Sequence, residues 1–140
     1  MTSRYLLDTS ALYPLVRRLR ENILYYSDIL EVLDLTLYEV GNVIWKEHRK
    51  GKIKDPIVVA NLFQEILRNI RVARNDTGLD EVVRLAIEEN LTFYDAAYLH
   101  AARVHGAKLV TEDRDLKRFP EAISVDQLLE ELESLRWKTG

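Results

Sequence analysis

Two short apolar runs in this chain each lead into an acid, and helical patterning follows the first directly. Residues 4–8 (RYLLD) stop on Asp8, and 107–111 (AKLVT) pass through Glu112 to Asp113. Runs this short, bounded by polar residues, suit buried strands better than helices. Parallel strands need long crossovers, and the patterning between the two runs supplies them as helices. A strand that ends on a carboxylate puts that charge at the C-terminal edge of the sheet, where open α/β folds hold their ligands. The same two runs therefore constrain both the fold and the place to look for chemistry.

Further elements follow from caps and periodicity. Residues 4–8 (RYLLD) form the first strand, and a helix runs from about Ser10 into 16–20 (VRRLR), with Pro14 tolerated only in its first turn. Residues 21–30 (ENILYYSDIL) read as helix and 32–36 (VLDLT) as the second strand. Thr36 then reads as an N-cap with Glu39 closing a capping box, in a helix that runs toward His48 and stops at Gly51. Asp55 caps the next helix, Pro56 takes its first position, and Val59, Leu62, Phe63, Ile66 and Leu67 give its apolar stripe. These two helices are expected to form a hairpin beside the sheet. Thr77–Asp80 and Thr92–Asp95 repeat the capping-box pattern, and the second of these helices ends near Gly106. Residues 107–111 (AKLVT) make a strand, 112–116 (EDRDL) a loop, 122–125 (AISV) the last strand, 126–135 a final helix and 136–140 a frayed end. The expected fold is α/β, one three-layer domain over residues 1–140 with its ordered core at about 4–135 and a mainly parallel central sheet.

Composition removes several classes. The chain has 140 residues, which suits one core, and no cysteine, so disulfides and thiolate metal sites are excluded. The cysteine-free composition is compatible with the cytoplasm, the expected location. The first apolar stretch is broken by Asp8, so neither a leader peptide nor a membrane span is expected. A net charge of −3 argues against binding nucleic acid by bulk electrostatics. Basic clusters at 16–20, 46–54 and 114–118 leave a local basic rim, including Arg114, Lys117 or Arg18, in competition with plain solvated helix surface. Phosphate-loop and compact zinc patterns are missing, so His48, His100 and His105 read as surface or packing residues, and Tyr94 and Tyr98 as packing residues beside the alanines.

Four acids stand at the changes of chain direction: Asp8, Glu39, Asp95 and Asp113. Each has a local use, as strand-end cap, capping-box partner or turn former, and the residues alone leave that use open beside a functional one. Converged at one sheet edge, their mutual repulsion would call for a hard divalent cation and would raise at least one carboxyl pKa. Thr9, Ser10 and Thr111 offer hydroxyls to orient a carboxylate, and Asp115 shares parity with Asp113 if the segment stays extended.

In order and context, LLDTSAL (6–12), LTLYEVGNVIWKE (35–47), LTFYDAAYLHAA (91–102) and LVTEDRDL (109–116) resemble the PIN-domain family of metal-dependent nucleases. They are most similar to the VapC-type toxin subunit of VapBC toxin–antitoxin pairs. The resemblance implies that Asp8, Glu39, Asp95 and Asp113 are the catalytic and metal-binding acids, with Ser10 and Thr111 as auxiliaries, and its parity with Asp113 adds Asp115 to these. It implies Mg²⁺, with Mn²⁺ as a substitute, an RNA substrate cut internally by hydrolysis, a cognate VapB-type antitoxin and a homodimer. A PIN nuclease for RNA processing or DNA cleavage would use the same residues. Asp8 as a phosphoryl-accepting nucleophile is disfavoured because Ser10 stands two positions on, where an acid is wanted. A non-enzymatic binding module would leave the four acids scattered.

Overall fold

The structure, a computed structural model, describes residues 4–74 and 78–139. Five strands, β1 (Tyr5–Leu7), β2 (Leu30–Leu33), β3 (Arg71–Ala73), β4 (Lys108–Val110) and β5 (Ala122–Ile123), form one sheet in the order β3-β2-β1-β4-β5. Every neighbouring pair is parallel. The chain winds outward from β1 to β3, then returns to build β4 and β5 on the other side of β1. The crevice beyond the ends of β1 and β4 is therefore the topological switch point. The helices are α1 (Thr9–Leu19), α2 (Leu35–Arg49), α3 (Pro56–Asn69), α4 (Leu79–Glu89), α5 (Phe93–His105), α6 (Arg114–Lys117) and α7 (Val125–Thr139).

Strand alternation sorts the core into two layers. Tyr5 and Leu7 face a cluster with Leu12, Leu15, Ile66 and Leu128, contributed by α1, α3 and α7. Leu6 faces the opposite cluster, with Val82, Leu99, Leu109 and Leu116 from α4, α5, β4 and α6. Leu6 is fully buried, so Leu6→Ala would cost roughly 2–5 kcal/mol through lost transfer energy and a residual cavity. Ala96, Ala97, Ala101 and Ala102 are all buried along α5, which lets that helix lie close on the sheet. Gly106 ends α5 in the left-handed region at φ 61, as its C-cap. The hairpin of α2 and α3 packs together as expected.

Several expected boundaries change. Residues 20–26 form a 3-10 segment rather than an α-helix, and β2 starts at Leu30, two residues before the expected strand. Asp34, not Thr36, caps α2, its carboxylate accepting from the Leu35 amide at 2.9 Å. Thr36 is completely buried and bonded elsewhere, so the capping box with Glu39 does not form. β3 was hidden in material that reads as helical, because three residues at a sheet edge carry almost no period. The expected acidic loop contains the short helix α6. The helix expected to fray continues to Thr139. Thr77 lies outside the described residues, and Gly78 is the N-cap of α4.

Candidate active site

Asp8 leaves β1 and caps α1. Its Oδ1 accepts from the Ala11 amide at 3.0 Å and the Ser10 hydroxyl at 2.6 Å, while the Thr111 hydroxyl donates to Oδ2. The same two hydroxyls reach the loop after β4. Ser10 Oγ accepts from the Glu112 amide at 2.9 Å, and Thr111 Oγ1 from the Asp113 amide at 3.0 Å. They brace the ends of β1 and β4 across the switch point. Asp8 is only 4% exposed. Burial raises its pKa to about 6, Asp113 adds to the rise, and the three hydrogen bonds oppose it.

Asp95 occupies the first turn of α5, where its amide donates to the capping Thr92 hydroxyl at 3.1 Å. Asp113 caps α6 and accepts from the Asp115 amide at 2.8 Å. One carboxylate oxygen each from Asp95, Asp113 and Asp115 lie within 4.8 Å of one another. Burial raises the Asp95 pKa to about 6, followed by the charges of Asp113 and Asp115 and, less, that of Glu39. Like-charge crowding was the expected cause of such shifts; here it comes second to burial.

Glu39 projects from the second turn of α2. Its Oε1 accepts from the Thr9 hydroxyl at 2.9 Å and the Tyr98 hydroxyl at 2.7 Å. Tyr98 Oη is 2.5 Å from Thr36 Oγ1. A phenol has one proton to give, so with Tyr98 donating to Glu39, Thr36 donates to Tyr98. Burial holds the Tyr98 phenol far above its ordinary pKa, so it keeps that proton. Asp8, Glu39, Asp95 and Asp113 line one cleft of about 400 Å³ together with Thr9, Ser10, Asn42 and Tyr98.

The sequence profile of the PIN domain matches residues 5–122. This chain belongs to the PIN domain family. It is 41% identical over 130 residues to exonuclease VapC9 of Pyrobaculum aerophilum, covering 92% of this chain and 96% of that protein. Ribonuclease VapC3 of the same organism is 34% identical over 99 residues, 68% of this chain and 75% of that one. A crystal structure from Pyrobaculum aerophilum superposes with a TM-score of 0.85 at 39% identity, covering 96% of this chain and 99% of its own. The fold also recurs, at 17% identity and a TM-score of 0.63, in DNA-bound VapBC of Salmonella typhimurium, across 89% of this chain and 99% of that one.

Within this PIN domain the donor chemistry suits a hard divalent cation. The cleft lining holds four carboxylates and, among the described residues, no lysine, arginine or histidine to offset them. Oxygen-only ligands of this kind match magnesium or manganese rather than zinc. Asp95, Asp113 and Asp115 are the residues whose spacing would hold such an ion, with Asp8 and Glu39 facing the same cleft. Asp115 joins through the helical turn of α6, not through the extended parity expected for it.

Other expectations shift as well. Arg18 pairs with Asp126 at 2.9 Å and Lys117 with Glu112 at 2.7 Å, and neither they nor Arg114 line the cleft. His48 Nδ1 lies 2.8 Å from the Ile53 carbonyl oxygen and His105 Nδ1 3.1 Å from Glu31, which keeps both in structural contacts. Tyr94 is 60% exposed rather than packed. Tyr98 is packed, yet its hydroxyl reaches the cleft, a role its alanine-rich surroundings concealed. Asn42 was also missed, although it stands three residues after Glu39 and so shares its helix face.

Proposed function

We propose that this PIN domain is a Mg²⁺- or Mn²⁺-dependent endoribonuclease and the toxin of a type II toxin–antitoxin pair. The observation that carries this reading is the cluster of Asp95, Asp113 and Asp115 oxygens within 4.8 Å, of which Asp95 and Asp113 line a cleft shared with Asp8 and Glu39. The names VapC9 and VapC3 of the two relatives support it. A bound divalent ion would supply positive charge for the phosphoryl oxygens and lower the pKa of the attacking water. Asp95, Asp113 and Asp115 would hold that ion. Asp8, fixed by Ser10, Thr111 and the Ala11 amide, would set the opposite wall of its site. Glu39 Oε1 is occupied by Thr9 and Tyr98, which leaves Oε2 to orient the water and accept its proton. The water oxygen bonds to phosphorus as the bridging P–O bond breaks, and the leaving oxygen takes a proton, so no covalent enzyme intermediate forms.

Purified protein with Mg²⁺ should cut RNA and stop on chelation. A circular RNA separates the modes of attack, since an endonuclease opens it and an exonuclease leaves it intact. The exonuclease reading is kept because the relative at 41% identity bears that name. We further place the protein in the cytoplasm as a homodimer bound by a VapB-type antitoxin. Exposed Leu37, Tyr38 and Ile57 on the α2–α3 hairpin support a subunit contact, and light scattering showing only monomers at micromolar concentration would refute it. Among the described residues no helix is long and apolar enough to cross a membrane.

A further inference from the structure

We propose that the groove along α1 is a track for the phosphate backbone of an RNA strand leaving the acid cleft, and that Arg20 is held there against backbone strain. The proposal rests on the ribonuclease reading and assigns a binding surface to it. The groove has a volume of about 920 Å³ and lies between α1, the α2–α3 connection and α3. Tyr13 lines both this groove and the acid cleft, so the two adjoin at that residue.

Their charges are opposite. The cleft presents carboxylates alone, whereas the groove presents Arg17, Arg20, Lys52 and Lys54 against Glu21 and Asp55. Asp55 is engaged as the cap of α3, accepting from the Val58 amide at 3.2 Å, and Lys52 stands 3.9 Å from Glu47. Arg17, Arg20 and Lys54 are exposed and have no carboxylate within ion-pair distance among the described residues. At the junction the Tyr13 ring stacks on Phe63, with centroids 5.6 Å apart, and the Arg17 guanidinium lies 5.9 Å from its centroid. Phosphates spaced along a strand match the unpaired cations, and a half-buried ring backed by a second ring suits a stacked base. An acidic peptide would satisfy the cations, but the aromatic junction bordering the acid cleft favours the strand being cut.

The second observation is conformational. Arg20 ends α1 with φ 50 and ψ −131, a combination open to glycine and costly for other residues. Among the described residues the other non-glycine with positive φ is Asn90, in the ordinary left-handed well at φ 54 and ψ 49. Where α5 and the turn after α2 need positive φ, the chain uses Gly106 and Gly51. At the corresponding corner after α1 the chain carries Arg20 in place of glycine. Strain of this kind concentrates at functional positions, and here the side chain lines the track.

Stability and binding should therefore move in opposite directions in one variant. The full-length protein is compared with Arg20→Gly, Arg20→Lys and Arg17→Ala. The probe is a fluorescently labelled single-stranded RNA of mixed sequence, in chelator, at several salt concentrations. Arg20→Gly should melt about 3 °C higher, bind the RNA at least about threefold more weakly, and lower the slope of log K against log salt by about 0.7. Arg17→Ala should show the same loss of slope with little change in melting, and Arg20→Lys should keep the slope. Lower melting for Arg20→Gly overturns the claim of strain. Wild-type binding by both Arg20→Gly and Arg17→Ala overturns the track. Tighter binding of a glutamate-rich peptide than of RNA, lost in both variants, overturns RNA as the occupant and assigns the groove to a protein. If the wild type cuts no RNA while the variants still weaken RNA binding, the nuclease reading fails and the track stands. If cutting is normal and the variants bind like the wild type, the track alone fails.

Discussion

The two walls of the cleft treat their carboxylates in opposite ways. On one wall, Asp8 receives three donors and Glu39 two, all from the chain itself. On the other, Asp95, Asp113 and Asp115 crowd one another, with the Asp115 amide as the backbone donor to Asp113, and among the described residues no side-chain cation lines the cleft. Hydrogen bonds can hold an anion in place without a metal, but they do little for three anions facing each other. On the proposed reading, folding completes the first half of the site and a bound cation completes the second.

Removing charge from the crowded wall should have the largest effect. Asp113→Asn keeps size and capping capacity while removing one anion, so RNA cleavage should fall by at least about a thousandfold. The same variant should melt no lower than wild type without metal, because repulsion is relieved. A normal cleavage rate would erase the proposed division between the walls. The next effect is on pH. Asp8 and Asp95 have pKa values raised to about 6 from 3.8, so both bind protons more tightly folded than unfolded. Metal-free stability should then decline as pH rises from about 4 through 6 and level off above. Asp8 contributes roughly 2–3 kcal/mol, and half-exposed Asp95 contributes less. Denaturant melts at pH 5 and pH 7 measure this, and saturating Mg²⁺ should restore the loss at pH 7.

The hydrogen-bonded wall should respond more gently. Tyr98→Phe and Thr9→Val each remove one donor to Glu39 and should slow cleavage about 10–100-fold. Thr9→Ser should recover most of the rate, which a packing role for the methyl group would not predict. Smallest of all, Thr92→Ala should cost about 1 kcal/mol of stability through loss of the α5 cap and alter cleavage little.

The parts of this protein set by neighbouring residues were readable in its sequence. Asp8 at the end of an apolar run, Thr92 three residues before Asp95, and Asp55–Pro56 opening α3 all use contacts within one turn. Features decided by distant contacts were not readable in the same way. Asp34 and Thr36 both suit a cap, and burial of Thr36 against Tyr98 decides between them. Among the described residues the edge strand β3 pairs with β2 alone, and nothing within Arg71–Ala73 announces it. Asp115 looked like an extended-chain neighbour of Asp113, yet a helical turn brings the two together. The four acids could be named in advance because the motifs that carry them resemble those of the PIN-domain family. The donors that distinguish one wall from the other come from Thr9, Tyr98 and Thr111, which only folding brings into place.

Calorimetric titration with Mn²⁺ tests the central claim most directly. The wild type and Tyr98→Phe should both show saturable binding above pH 6, and Asp113→Asn should lose it at least about tenfold. Equal Mn²⁺ affinity in the wild type and Asp113→Asn would contradict the claim that the crowded wall is the one a cation completes.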